Sequence, residues 1–106
     1  MYKLVFYVPE SHKEAVKKAL FEQGAGQFNG YDCCSWETSG IGQFKALPGS
    51  QPFIGQQDQI ETVVEYRVEM ICAEQYIKAV LTTLVESHPY ETPAYDVWSI
   101  KTLDDF

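Results

Sequence analysis

The stretch YKLVFYVPESHKEAVKKALFEQGAG, residues 2–26, decides the fold, because its hydrophobic period changes once and is then broken off by glycines. From Tyr2 to Val8 the side chains alternate: Tyr2, Leu4, Phe6 and Val8 on one face, Lys3, Val5 and Tyr7 on the other, with both faces largely apolar. Successive side chains of a strand point to opposite sides, so this pattern predicts a central strand covered on both. Pro9 ends it. Ser11 followed by Glu14 reads as a capping box, the hydroxyl accepting a free backbone N–H and the carboxylate reaching back, which starts a helix at about His12. Ala15, Val16, Ala19, Leu20 and Gln23 then recur at helical spacing, Lys13, Lys17 and Lys18 lie away from them, and Gly24-Ala25-Gly26 stops the helix. A helix with one apolar stripe needs a sheet to lie on.

Further along, Phe28 to Thr38 returns to period two, and Gly40-Ile41-Gly42 is expected to turn it into a short strand from Gln43 to Leu47, making a hairpin. Pro48 to Asp58, with two prolines, two glycines and three glutamines, predicts a loop. Pro52, Phe53 and Ile54 sit at its centre, and an apolar pair there needs a surface to bury it; these three are the candidate partner or oligomer residues. The clearest strand follows, with Val64, Tyr66, Val68, Met70 and Cys72 on one face and Glu65, Arg67 and Glu69 on the other, the latter read as a solvated cross-strand ladder of ion pairs. Glu74 to Ser87 is a second helix with Tyr76, Ile77, Val80, Leu81, Leu84 and Val85 as its stripe, closed by His88-Pro89. Ala94 to Ile100 alternates as a last strand, and the acidic tail from Lys101 to Phe106 is placed at the surface.

Strand, helix, strand with an extra β-hairpin, strand, helix, strand is the order of a ferredoxin-like α+β domain, a split βαβ sandwich whose antiparallel sheet carries two helices on one face. Its 106 residues make a single domain, 1–106. The bare face of such a sheet is most economically covered by another copy of the chain or by another protein, so a homo-oligomer is expected. With 8 basic against 15 acidic residues the net charge is −7, which repels a phosphate backbone, so nucleic acid is not an expected partner. No apolar run reaches the ~18–20 residues of a membrane span and the start MYKLVFYVPE lacks a cleavage site, so a cytoplasmic, membrane-free location is expected. Three cysteines, Cys33, Cys34 and Cys72, read as reduced thiols packed as small hydrophobes rather than as a disulfide framework or metal cage.

The most unusual local feature is His88-Pro89-Tyr90-Glu91-Thr92-Pro93, which sets an imidazole, a phenol and a carboxylate within four residues of a proline-stiffened turn. His88, Tyr90 and Glu91 are the ligand or metal candidates, a divalent metal ion being the one cofactor such a set would take. Against this stands a structural role, with the prolines fixing the turn and His88 favouring the carbonyl end of the helix. His12, the only other histidine, has no ligand-type spacing to a cysteine or carboxylate. No phosphate loop, HExxH, GxSxG or paired CxxC occurs, and the sequence offers no catalytic residue, so a non-enzyme is expected.

The segments Leu4 to His12, Ala19 to Gly26, Pro52 to Gly55 and His88 to Val97 resemble the insertion domain of the Nif-three-like (YqfO) family, in order over nearly the whole chain. The shorter His-Pro-Tyr-Glu-x-Pro pattern also resembles the CutA divalent-cation-tolerance proteins. Both resemblances imply a CutA/PII-like fold, commonly trimeric. Full-length Nif-three-like proteins carry a dinuclear metal site and a GTP cyclohydrolase-type name, but the metal-binding residues lie in flanking domains, and no position of this chain matches them. The resemblance therefore implies a role in assembly, partner or small-ligand binding, with CutA-like metal binding as the alternative and a nucleotide hydrolase as a weaker one.

Overall fold

Strand β1 (Tyr2–Pro9) runs straight into helix α1 (Glu10–Glu22) in the computed structural model, which describes all 106 residues. The chain continues through β2 (Trp36–Lys45), β3 (Ile60–Cys72), a 3-10 turn at Glu74–Tyr76 that leads into α2 (Ile77–Ser87), and β4 (Tyr95–Ser99). The four strands form one antiparallel sheet in the order β2-β3-β1-β4, the expected ferredoxin-like arrangement, with β1 and β3 inside it.

The register decides which side chains meet. Val8 faces Tyr66 and Leu4 faces both Met70 and Val97, so Leu4, Phe6 and Val8 join Val68, Met70 and Cys72 on one side. Val16 and Leu20 of α1 and Val80 and Leu84 of α2 pack onto that layer, and each of these ten side chains is at most 2% exposed. Burying one such side chain contributes about 1.5–3 kcal/mol, so this layer carries the fold. The opposite side of the sheet holds Lys3, Val5, Tyr7, Arg67, Glu69, Asp96 and the tryptophans Trp36 and Trp98. No helix covers it. Trp36 is 59% and Trp98 45% exposed.

Several local expectations are corrected. No capping box forms: the helix starts at Glu10 behind an extended Pro9, which leaves Ser11 inside the first turn, where its hydroxyl meets His12 Nδ1 at 2.8 Å. Gly40-Ile41-Gly42 is not a turn but the middle of β2, paired with Glu65, Val64 and Val63. The tight turn lies earlier, at Phe28-Asn29-Gly30-Tyr31, where Phe28 and Tyr31 exchange both backbone hydrogen bonds at 2.9 Å and Asn29 and Gly30 take positive φ. Asn-Gly is the sequence pair that such turns favour, because both central residues must enter the left-handed region. Cys33 and Cys34 therefore sit in a loop rather than a strand. The ion-pair ladder is not cross-strand either: Arg67 pairs with Glu69 on its own strand at 3.4 Å, and Glu65 points elsewhere.

Candidate functional site

Pro9 ends β1 opposite Glu65, and beyond that point residues Ile60–Val64 of β3 pair with β2 alone. These five residues extend the two strands as an arm of about 16 Å at the usual rise per strand residue, and the molecule is 49 Å long. The loop after β2 folds back beside this arm and is braced internally. Asp58 N–H donates to Ala46 O at 2.6 Å, Ser50 Oγ to Leu47 O at 2.6 Å, and Gln57 Nε2 to Ser50 O at 2.8 Å.

At the middle of the loop the chain meets the turn between α2 and β4. Gln51 N–H donates to Glu91 Oε2 at 2.9 Å, across 40 residues of sequence. The Phe53 ring lies 6.2 Å from that of Tyr90 and stands edge-on to His12 at 5.6 Å. Pro52, Phe53 and Ile54 thus come together with Tyr90 and Glu91, although Phe53 stays 51% exposed.

His88 holds the turn in place. Pro89 forces it out of helical conformation (φ −76°, ψ 138°), which ends α2 and drops the ring into the protein at 7% exposure. Its Nδ1 lies 3.1 Å from Tyr90 N–H, a group that can only donate, so Nδ1 accepts and Nε2 carries the proton. That Nε2–H donates to Tyr7 O at 2.6 Å. Burial pushes the imidazole pKa below its ordinary 6.5, only partly offset by the bond to Tyr7. His88 is a neutral latch between β1 and the turn, not a cation at the helix's carbonyl end.

Tyr90 OH donates to Glu65 Oε2 at 3.2 Å. Burial first, and then the negative Glu65, pushes the phenol up to about 12, so it remains a donor at neutral pH. Glu65 in turn lies across Gly42, where a Cβ would meet its carboxylate. Between arm, loop and turn lies a cavity of about 450 Å³, walled by Phe44 and Val63 from the arm, Phe53 and Ile54 from the loop, and Tyr90 and Glu91 from the turn, with Glu65 between them.

Chemically this is a recess with an apolar wall, a protonated phenol and two carboxylates. Cys33, Cys34, Cys72 and His12 are outside its lining, and no three His, Cys, Asp or Glu side chains cluster closely enough to hold a metal ion. Glu65, Phe44 and Tyr7 belong to the site and were not singled out by the sequence. One signal was available: a glycine inside a strand pattern often marks a close approach, and Gly42 is where Glu65 lies down.

No family model matches the chain. It is 41% identical over 100 residues to the GTP cyclohydrolase 1 type 2 homolog of Halalkalibacterium halodurans, a match taking in 94% of this chain and 27% of that protein. Among solved structures, the Bacillus cereus protein related to NIF3 superposes with a TM-score of 0.82 at 36% identity, covering 95% of this chain and 26% of that one. The PII-like protein CutA from Nostoc sp. PCC 7120 superposes with a TM-score of 0.70 over 99% of this chain and 88% of its own, at 16% identity, a likeness of fold alone. The chain spans about a quarter of the length of the first two proteins. No helix is long and apolar enough to cross a membrane. Sequence relatives and fold agree: the chain is homologous to one segment, about a quarter, of longer NIF3-related proteins, and it has a CutA/PII-like fold.

Proposed function

We propose that this domain is a non-catalytic, self-associating binding module, which takes a partner or small ligand at the recess between its arm and the turn after α2. The observation that carries the reading is the meeting of the Pro52-Phe53-Ile54 loop with Tyr90 and Glu91 around one cavity. A braced loop with aromatic and carboxylate groups turned onto a recess suits recognition. Catalysis by His88 is disfavoured because both ring nitrogens are already committed to backbone partners. Metal ligation by His88 meets the same obstacle, since a cation would have to displace the bond to Tyr7 or to Tyr90.

Self-association is supported by the uncovered sheet face bearing Trp36 and Trp98, which carries both signs of charge, Lys3 and Arg67 against Glu69 and Asp96, and so complements a second copy of itself. A trimer is the expected assembly. Light scattering at micromolar concentration should give a mass of three chains; a monomer with no bound partner overturns the assembly claim. Sustained GTP turnover by the purified, metal-supplemented protein overturns the non-catalytic claim. Calorimetry with copper, zinc and cobalt should show no binding that is lost in His88→Ala; a loss there would favour the metal reading.

A further inference from the structure

The recess has charges that the fold leaves unanswered. Glu14, Glu37 and Glu69 each have a lysine or arginine partner within 4 Å, whereas Glu65 and Glu91 have none. Both are held in place by neutral donors instead, Glu65 by the Tyr90 hydroxyl and Glu91 by the Gln51 backbone N–H, and in each case through Oε2. The Oε1 of each has no hydrogen-bond partner in the protein. Lys45 is the one basic residue in the lining, and it makes no ion pair within 4 Å with either carboxylate. The remaining wall is aromatic and aliphatic.

Carboxylates fixed beside aromatic rings attract cations by two means: direct charge, and the negative face of the ring. A hydrated metal ion gains little from apolar walls, and this site has too few donors for one. An ammonium group on a hydrocarbon or aryl body uses every part of the lining. The volume, about 450 Å³, is that of a small-molecule site, and the net charge of −7 raises the local concentration of cations.

We propose that the recess is a binding site for a small organic amine in its ammonium form, with the charged head between Glu65 and Glu91 and the apolar body against Phe44, Phe53 and Val63. The proposal deepens the binding-module reading and rests on it. Its polarity is specific: an amine binds, the matching alcohol binds weakly, and the matching carboxylate is repelled by the two acidic side chains.

Calorimetry on the intact protein with phenethylammonium, 2-phenylethanol and 3-phenylpropionate tests this, with backbone amide NMR shifts locating the binding. The expected result is an ammonium affinity at least ten-fold above that of the alcohol, no measurable binding of the carboxylate, and shifts centred on Phe44, Phe53 and Tyr90. The double substitution Glu65→Gln/Glu91→Gln should lose at least ten-fold for the amine while leaving the alcohol unchanged. Should that variant fail to fold, the salt dependence of the native protein decides: amine affinity should fall several-fold between 50 and 500 mM sodium chloride and alcohol affinity should not. Equal binding of all three compounds, tighter binding of the carboxylate, or shifts centred on Trp36 and Trp98 would overturn the proposal. N-acetyl-lysine amide binding as tightly as phenethylammonium would overturn the small-molecule form in favour of a lysine offered by another protein. A trimer that binds no amine leaves the self-association reading intact, whereas GTP turnover overturns the non-catalytic reading without touching this one.

Discussion

Strand β3 is two environments on one strand. In its second half Val68, Met70 and Cys72 are at most 2% exposed, yet Val64 and Ile60, on the same face by alternation, are 63% and 67% exposed. The sequence pattern is the same throughout; the neighbours are not. Val68 to Cys72 pairs with β1 along its whole length and lies under the helices, whereas Ile60 to Val64 has lost β1 at Pro9 and has β2 as its only strand neighbour. Alternation thus assigns a face, and only the length of the neighbouring elements assigns burial. The difference also locates the site, since the space vacated where β1 stops is where the folded-back loop and the recess lie.

The sharpest way to break this comparison is truncation in each half. Phe6→Ala, at the centre of the covered half, should cost about 3–5 kcal/mol in urea unfolding, through lost burial and the cavity left behind. A cost below that of an exposed truncation would mean that the helix-covered layer does not carry the fold. Next in size is His88→Ala, which strands Tyr7 O and Tyr90 N–H at the border between the halves and should cost about 2–4 kcal/mol, the lower part of the range for two groups at roughly 1–3 kcal/mol each because both are only part-buried. Its pH signature is distinctive. The folded imidazole stays neutral while the unfolded one takes up a proton, so the unfolded state binds more protons and stability rises with pH. Wild-type protein should therefore lose thermal stability as pH falls below about 6.5 toward the lowered folded value, and His88→Ala should lose that part of the slope.

How much of this was legible follows the same division. β1, α1, β3 and α2, and hence the strand order, could be read because their apolar residues recur at the period of the element that buries them. The recess was legible only in halves. Phe53-Ile54 and His88-Tyr90-Glu91 each stand out locally, but the contact joining them spans 40 residues, and the tautomer of His88 is set partly by a carbonyl 81 residues away. Gly40-Ile41-Gly42 was misread as a turn because the reason for glycine at 42 is a side chain from another strand, Glu65, invisible to any local rule. The Asn29-Gly30 turn, by contrast, was written in the local sequence and needed no tertiary information.

Two smaller effects sharpen the border further. Glu37 on β2 accepts from Lys13 at 2.5 Å and Lys17 at 2.8 Å, tying α1 to the sheet, while Lys13 also sits 3.9 Å over the Tyr66 ring. The bond from Lys13, then that from Lys17, holds the Glu37 carboxyl below its ordinary 4.5, so its contribution is present above that value and is lost as pH falls through the lowered one. Glu37→Gln should therefore destabilise less than His88→Ala, measurably at pH 7 and by a shrinking amount as pH falls below 4.5, and less so in high salt because the pair is partly exposed.

The smallest effect on folding should come from the arm. Ile41 and Val64 face each other across β2 and β3 at 78% and 63% exposure, so truncating them removes little that the single chain buries. Ile41→Ser/Val64→Ser should shift the unfolding midpoint of the single chain by the equivalent of less than about 1 kcal/mol, the sum of two exposed substitutions. Its effect belongs to assembly instead: if copies of the chain cover one another's arms, sedimentation on dilution should show the variant dissociating at higher concentration than wild type. An unchanged dissociation curve would place the contact on the Trp36 and Trp98 face alone, and Trp98→Ala, 45% exposed and outside the buried layer, should then dissociate the assembly while leaving the fold in place.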